Sequence, residues 1–254
     1  NILSGSDIYN EGGITAYMAG LYNHLPMEDF NMGDRDANGG FFNWNSSKTT
    51  LGSTGEFANC DCGNSIIYGD KGYWKPAYQI IRQCNVLIQD LPNYVGQLVG
   101  AEEWLGEAKF VRAYTYFALV KRYGGVPILK EPQSLDSELI LPRSSHQDCV
   151  DFILDDLDYA IEHMTAKKIN GRGNKYVAAA MKSRVALYAG SVARYGGAFE
   201  HIGESGIMLT GIPAALANDY FEQAYDAALV VEEGGYELHN GGDKRQAFYE
   251  VFDK

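Results

Sequence analysis

The chain has 254 residues, 46% of them hydrophobic, with 21 Lys+Arg against 33 Asp+Glu and a net charge of −12. That length supports a sizeable core in one large domain or two smaller ones, and the composition excludes general disorder. The acidic balance lacks the basic stripe of a nucleic-acid binder and disfavours peripheral contact with anionic lipid. No apolar run reaches the roughly 20 residues of a membrane-spanning helix.

Helical periodicity organises most of the chain. A first helix is expected over about 10–23, with Ile14, Tyr17, Met18 and Leu21 as its stripe. A polar stretch over 26–72 follows, rich in Gly, Asn, Asp, Ser and Thr, with Phe41, Phe42, Trp44 and Tyr68 set into it. Loops of such length are often functional. Helices then return over about 73–90, stopped by Pro92, and over about 101–123, which is apolar on more than one face and therefore expected to be buried. Gly124, Gly125 and Pro127 end it. Further helices are expected over about 146–164, capped by Ser144 or Ser145, over about 175–195 and over about 219–233. The run Ala178-Ala179-Ala180 permits close approach of a neighbouring helix. Residues 247–252 form an apolar-patterned segment without an evident partner, which suggests that more protein follows, and Asn1 opens as if in mid-architecture. The fold class is therefore all-α in the main: tetratricopeptide-like antiparallel helix pairs with long irregular loops, near the ~34-residue period of such repeats. Residues 1–254 form one helical domain, with 26–72 a polar and aromatic loop insertion.

Four cysteines are present. Cys84 and Cys149 fall on apolar helical stripes and read as small core hydrophobes. Cys60 and Cys62 form C-D-C without the further ligands of a closed zinc site, and the cysteine pattern does not fix the redox compartment. The five histidines are scattered, no H-E-x-x-H or phosphate loop occurs, and Gly203-Glu204-Ser205-Gly206 falls one residue short of G-x-S-x-G. These observations point away from an enzyme. Asp34, Asp36 and Asn38, followed by Gly39, read as the opening of a calcium loop, but Asn45 stands where a bidentate acid belongs. A solvated polar turn is the plainer reading, and no other cofactor is implied.

The stronger lead is the cluster Phe41, Phe42, Asn43, Trp44 and Asn45. Aromatic rings can stack on the apolar face of a pyranose while amides bond its hydroxyls. Trp44 is the expected platform, helped by Phe42 and Tyr68, with Asn43, Asn45 and Asp70 reaching hydroxyls. The alternative is that Trp44 and Phe42 plug the loop onto the helical body. Trp74 and Tyr78 are placed lower, because they begin a helix and are expected to pack.

The helical segments resemble the SusD/RagB family. WKPAYQIIRQCNVLI, Trp74 to Ile88, is similar to its W-x-x-x-Y-x-x-I-x-x-x-N-x-x-I pattern. GEAKFVRAYTYFALVKRYGGVPIL resembles A-x-x-x-R-A-x-x-Y-F through Arg112, Ala113, Tyr116 and Phe117, and then G-x-V-P over residues 124–127, with Gly125, Val126 and Pro127 in place. Arg143, Ile153, Asp156, Leu157 and Ala160 match a third stretch, and the two succeeding helices follow in family order. The resemblance implies a non-catalytic outer-membrane lipoprotein of Bacteroidetes, held at the cell surface by an upstream lipid anchor. Its implied role is to capture glycan for a SusC-like TonB-dependent transporter. Peptide capture, or a mainly structural lid on that transporter, are the alternatives; a glycosidase would need two carboxylates facing across about 5–10 Å. The matched motifs belong to the scaffold and transfer no ligand residues. Arg112, on a buried helix, is expected to pair internally or to bond loop carbonyls.

Overall fold

The computed structural model describes residues 8–25, 74–134, 141–237, 239 and 242–252. Among these are seven α-helices: α1 (Glu11–Asn23), α2 (Trp74–Asp90), α3 (Ala101–Tyr123), α4 (His146–His163), α5 (Lys175–Tyr195), α6 (Ala217–Glu233) and α7 (Lys244–Phe252). From α2 to α6 each helix packs antiparallel on its neighbours in sequence, while α1 lies against α2 and α3. One small hairpin pairs β1 (His201–Ile202) with β2 (Met208–Thr210).

The expected starts and stops have visible causes. Asn10 caps α1, its side chain accepting from Gly13 N–H. Ser145 is the cap of α4 and forms a reciprocal box with Asp148: its hydroxyl accepts from Asp148 N–H at 2.9 Å, and the Asp148 carboxylate accepts from Ser145 N–H at 3.3 Å. Asn174 caps α5 by accepting from Tyr176 and Val177 N–H. α3 carries Glu102 and Glu103 in its first turn and Lys121 and Arg122 in its last, matching the helix dipole.

Helix α3 is buried nearly all round, as expected, because α2 and α4 cover it from two sides. α1 contributes Ile14, Met18 and Leu21, each at most 1% exposed, and burying each such side chain stabilises by about 1.5–3 kcal/mol. Cys149 continues through Ile153, Leu157, Ala160 and Met164 as a buried stripe, and Cys84 is fully buried, although Ile88 on its stripe is half-exposed. Ala178 and Ala179 are buried while Ala180 faces solvent. α5 and α6 approach closely at Gly190, where an added Cβ would stand 2.7 Å from the Phe221 ring.

Three chain segments meet where α3 ends. Gly124 has φ +69° and ψ −138°, and a Cβ there would lie 2.1 Å from the Leu209 carbonyl oxygen. Gly125 N–H donates to that same oxygen at 2.6 Å, and Arg143 donates to the carbonyls of Gly125 and Tyr123. The near match to a nucleophile elbow is the turn of the hairpin: Gly203 N–H donates to Ile207 and Gly206 N–H to Gly203. α6 starts two residues earlier than the sequence suggests, because a 3₁₀ turn over Ala214–Leu216 feeds into it. The apolar segment over 247–252 lies in α7, with Ala247 buried and Phe248 and Tyr249 exposed.

Candidate functional site

Beyond α3 the chain runs through residues 127–133 without a strand partner, so its backbone polar groups need side chains to satisfy them. Helix α2 supplies these from one face. Tyr78 Oη donates to the Pro127 carbonyl at 2.7 Å, Arg82 Nη1 to Gln133 at 2.6 Å, and Asn85 Nδ2 to Leu129 at 2.9 Å and Glu131 at 3.3 Å. From α3, Tyr116 Oη accepts from Leu129 N–H at 2.8 Å, and Arg112 Nη1 reaches the Lys130 carbonyl at 3.3 Å.

Arg112 is the centre of this arrangement. It is 3% exposed and binds Asp156 of α4 with both arms of its fork, Nε to Oδ2 at 2.7 Å and Nη2 to Oδ1 at 2.8 Å. Its third donor serves Asn85 Oδ1 at 2.6 Å, and Lys109 adds a bond to Asp156 at 3.1 Å. Both expected roles for Arg112, internal pairing and bonding of loop carbonyls, are therefore observed. Such charge-assisted, bidentate bonds fix geometry as well as energy.

The pinned segment separates two hollows. On the α2 side is a cleft of about 410 Å³ lined by Trp74, Tyr78, Arg82 and Asn85 together with Pro127, Leu129, Glu131, Gln133 and Leu141. On the α4 side is a groove of about 1000 Å³ whose walls include Lys130, Glu131, Asp148, Asp151, Phe152 and Asp155. Leu129, Glu131, Gln133 and Leu141 line both. A chain of ring contacts links the Trp74 and Tyr78 lining of the cleft to the Phe152 lining of the groove: Tyr123 meets Trp74 at 5.2 Å, Trp74 meets Tyr78 at 5.2 Å, Tyr78 meets Tyr116 at 6.4 Å, and Tyr116 meets Phe152 at 5.3 Å. Trp74 and Tyr78 do pack, as expected, yet the same rings also line the cleft. Their spacing with Arg82 and Asn85 along one face of α2 was the readable signal.

The buried tyrosine, cysteine and histidine side chains nearby stay neutral. Burial raises the pKa of the Tyr78 and Tyr116 hydroxyls, pushes the Cys149 thiol up to about 11 and raises Cys84 as well. Burial also pushes His146 down to about 4, and its Nδ1 accepts from Gly211 N–H. Hydroxyls, amides and carboxylates beside aromatic faces are equipped to bind a polar ring compound by stacking and hydrogen bonding. The sequence-derived ligand residues Phe42, Asn43, Trp44, Asn45, Tyr68 and Asp70, the calcium candidates Asp34, Asp36 and Asn38, and Cys60 and Cys62 all lie outside the described residues. Among the described residues no group of three or more His, Cys, Asp or Glu is arranged to hold a metal.

The chain belongs to the SusD-like family described as starch-binding and associating with the outer membrane, which matches residues 6–187. It is 29% identical over 116 residues to a SusD-like protein of Formosa agariphila, a match covering 45% of this chain and 22% of that protein. It is 25% identical over 119 residues to a SusD-like protein of Bacteroides ovatus, covering 46% and 22%. The matched stretches thus span about a fifth of these relatives' lengths. Among solved structures, a SusD-like protein from Bacteroides fragilis superposes with a TM-score of 0.63 at 24% identity, over 94% of this chain and 41% of that one. Another, crystallised with a xylogluco-oligosaccharide, gives 0.60 at 21% identity, over 89% and 41%. These likenesses show the shared helical fold.

Proposed function

We propose that this protein captures glycan at the cell surface without chemical turnover and passes it to a SusC-like TonB-dependent transporter in the outer membrane, to which a lipid anchor upstream of this chain would hold it. The observation that carries the reading is the adjoining pair of hollows, one lined by Trp74 and Tyr78 and the other by Phe152, in a chain of a family described as starch-binding. A relative by fold was solved with a xylogluco-oligosaccharide, which makes plant β-glucans a sensible first probe. In the sequence the 26–72 segment comes just before Trp74, which lines the cleft. We assign Trp44, Phe42 and Tyr68 to stacking and Asn43, Asn45 and Asp70 to hydroxyl contacts on that loop, with Trp74 extending the surface.

Affinity electrophoresis through gels carrying neutral plant and host polysaccharides tests this. Retardation by at least one polymer is expected, weakened by both Trp44→Ala and Trp74→Ala. Retardation unchanged in both variants would keep the glycan and overturn the site. Free migration through every gel, with measurable affinity for peptides instead, would overturn the glycan reading itself.

A further inference from the structure

The two hollows share the wall of Leu129, Glu131, Gln133 and Leu141, with Trp74 and Tyr78 lining one and Phe152 the other, so a polymer chain can follow them as one track. We propose that this track selects an uncharged polysaccharide and rejects chains bearing uronate or sulfate groups. The inference rests on the glycan reading above and adds the class of glycan.

The argument is one of charge placed around a cavity. Glu131, Asp148, Asp151 and Asp155 line the groove, and Lys130 is the ammonium group among its lining residues. The hydrogen-bond donors to these carboxylates leave their charge uncompensated: Asp148 accepts from the Ser145 backbone, and Asp151 accepts from Tyr220 Oη at 2.6 Å. In the cleft, the Arg82 guanidinium donates to the Gln133 carbonyl, keeps its charge and balances Glu131, so the excess of negative charge lies in the groove. The chain as a whole adds a net charge of −12. A carboxylate or sulfate on a bound sugar would therefore meet like charge within a Debye length of about 8 Å, beside low-dielectric aromatic walls. A neutral sugar meets the same residues favourably, because its hydroxyls donate to carboxylates and its apolar face meets rings.

The test compares a neutral polysaccharide that binds with the same polymer after oxidation of its C6 hydroxymethyl groups to carboxylates. Titration calorimetry on the protein at low salt should show binding weakened about tenfold or more by the oxidation, and at 0.5 M salt most of that loss should disappear. Asp155→Lys, an exposed position on the groove wall, should narrow the ratio of the two affinities several-fold at low salt. Equal affinity for both polymers, a loss that salt does not relieve, or a ratio unmoved by Asp155→Lys would each overturn the proposal while leaving glycan capture standing. Failure to bind any polysaccharide would remove the glycan reading first.

Discussion

Asp156→Ala should be among the most damaging single substitutions in this chain. Asp156 is 2% exposed and receives two bonds from Arg112, itself 3% exposed, and one from Lys109. Truncation leaves Nε and Nη2 of a buried guanidinium without partners, while Nη1 keeps Asn85 and the Lys130 carbonyl. Breaking one side of a buried pair in this way costs about 3–5 kcal/mol. For a chain of this size that lowers Tm by roughly 6–20 °C, at about 2–4 °C per kcal/mol. Urea unfolding at pH 7, followed by circular dichroism, measures it. The same logic makes a sharper demand: Arg112→Met combined with Asp156→Leu should be more stable than Asp156→Ala alone, because no orphaned charge remains. Hydrogen exchange should also rise at Leu129, whose N–H is held by Tyr116 within the same assembly. A loss below about 1 kcal/mol for Asp156→Ala, or a double variant worse than the single one, would refute the claim that Arg112 depends on this pairing.

Glu107 is 1% exposed; burial raises its pKa, outweighing Arg172 and Tyr22, which bond it and pull it down. A carboxyl with a raised folded pKa contributes stability that is fully present below its unfolded pKa and fades as pH rises through the folded value. The stability gap between wild type and Glu107→Gln should therefore shrink from pH 4 to pH 8; a gap that widens would mark an ordinary salt bridge. His146, held near 4 by burial, should stay neutral in an NMR titration until about pH 4, and a midpoint above 6 would contradict its packing. Gly124→Ala should cost roughly 3 kcal/mol or more, since both its φ of +69° and the Leu209 carbonyl oppose a Cβ; a change under 1 kcal/mol in chemical denaturation would show that the hairpin yields freely. Calcium at 1 mM should leave Tm unchanged, in keeping with Asn45 where a loop needs a bidentate acid; a chelator-reversible rise would assign a cation to Asp34, Asp36 and Asn38.

Much of the scaffold was legible because its signals are local. α3 and α5 begin and end where the sequence placed them, since Gly124-Gly125 and the Asn174 cap act over a few residues. The hairpin was not readable: strands of two and three residues offer no alternation, and both residues of β1 are exposed. Nor could the hollows be read, because they depend on bonds between residues far apart in the chain, such as Asn85 to Leu129 and Arg82 to Gln133, 44 and 51 residues apart. Trp74 and Tyr78 show a different limit. Packing and lining are compatible for one ring, since an edge can meet Tyr123 or Tyr116 while part of the side chain stays half-exposed, and a stripe pattern cannot separate the two.

The family motifs acquire a physical meaning at this point. Asn85 comes from the first matched stretch, Arg112 from the second and Asp156 from the third, and the three converge in a single buried network. Helix packing alone would ask only for apolar residues at those places. The polar ones are there because residues 127–133 have no strand partner, and their carbonyls must be met by side chains from α2 and α3. While the backbone is held from within, Lys130, Glu131 and Gln133 line the hollows. The scaffold and the walls of the two hollows are thus built from the same seven residues, and substituting Lys130 or Glu131 should change the proposed glycan affinity at little cost to the fold.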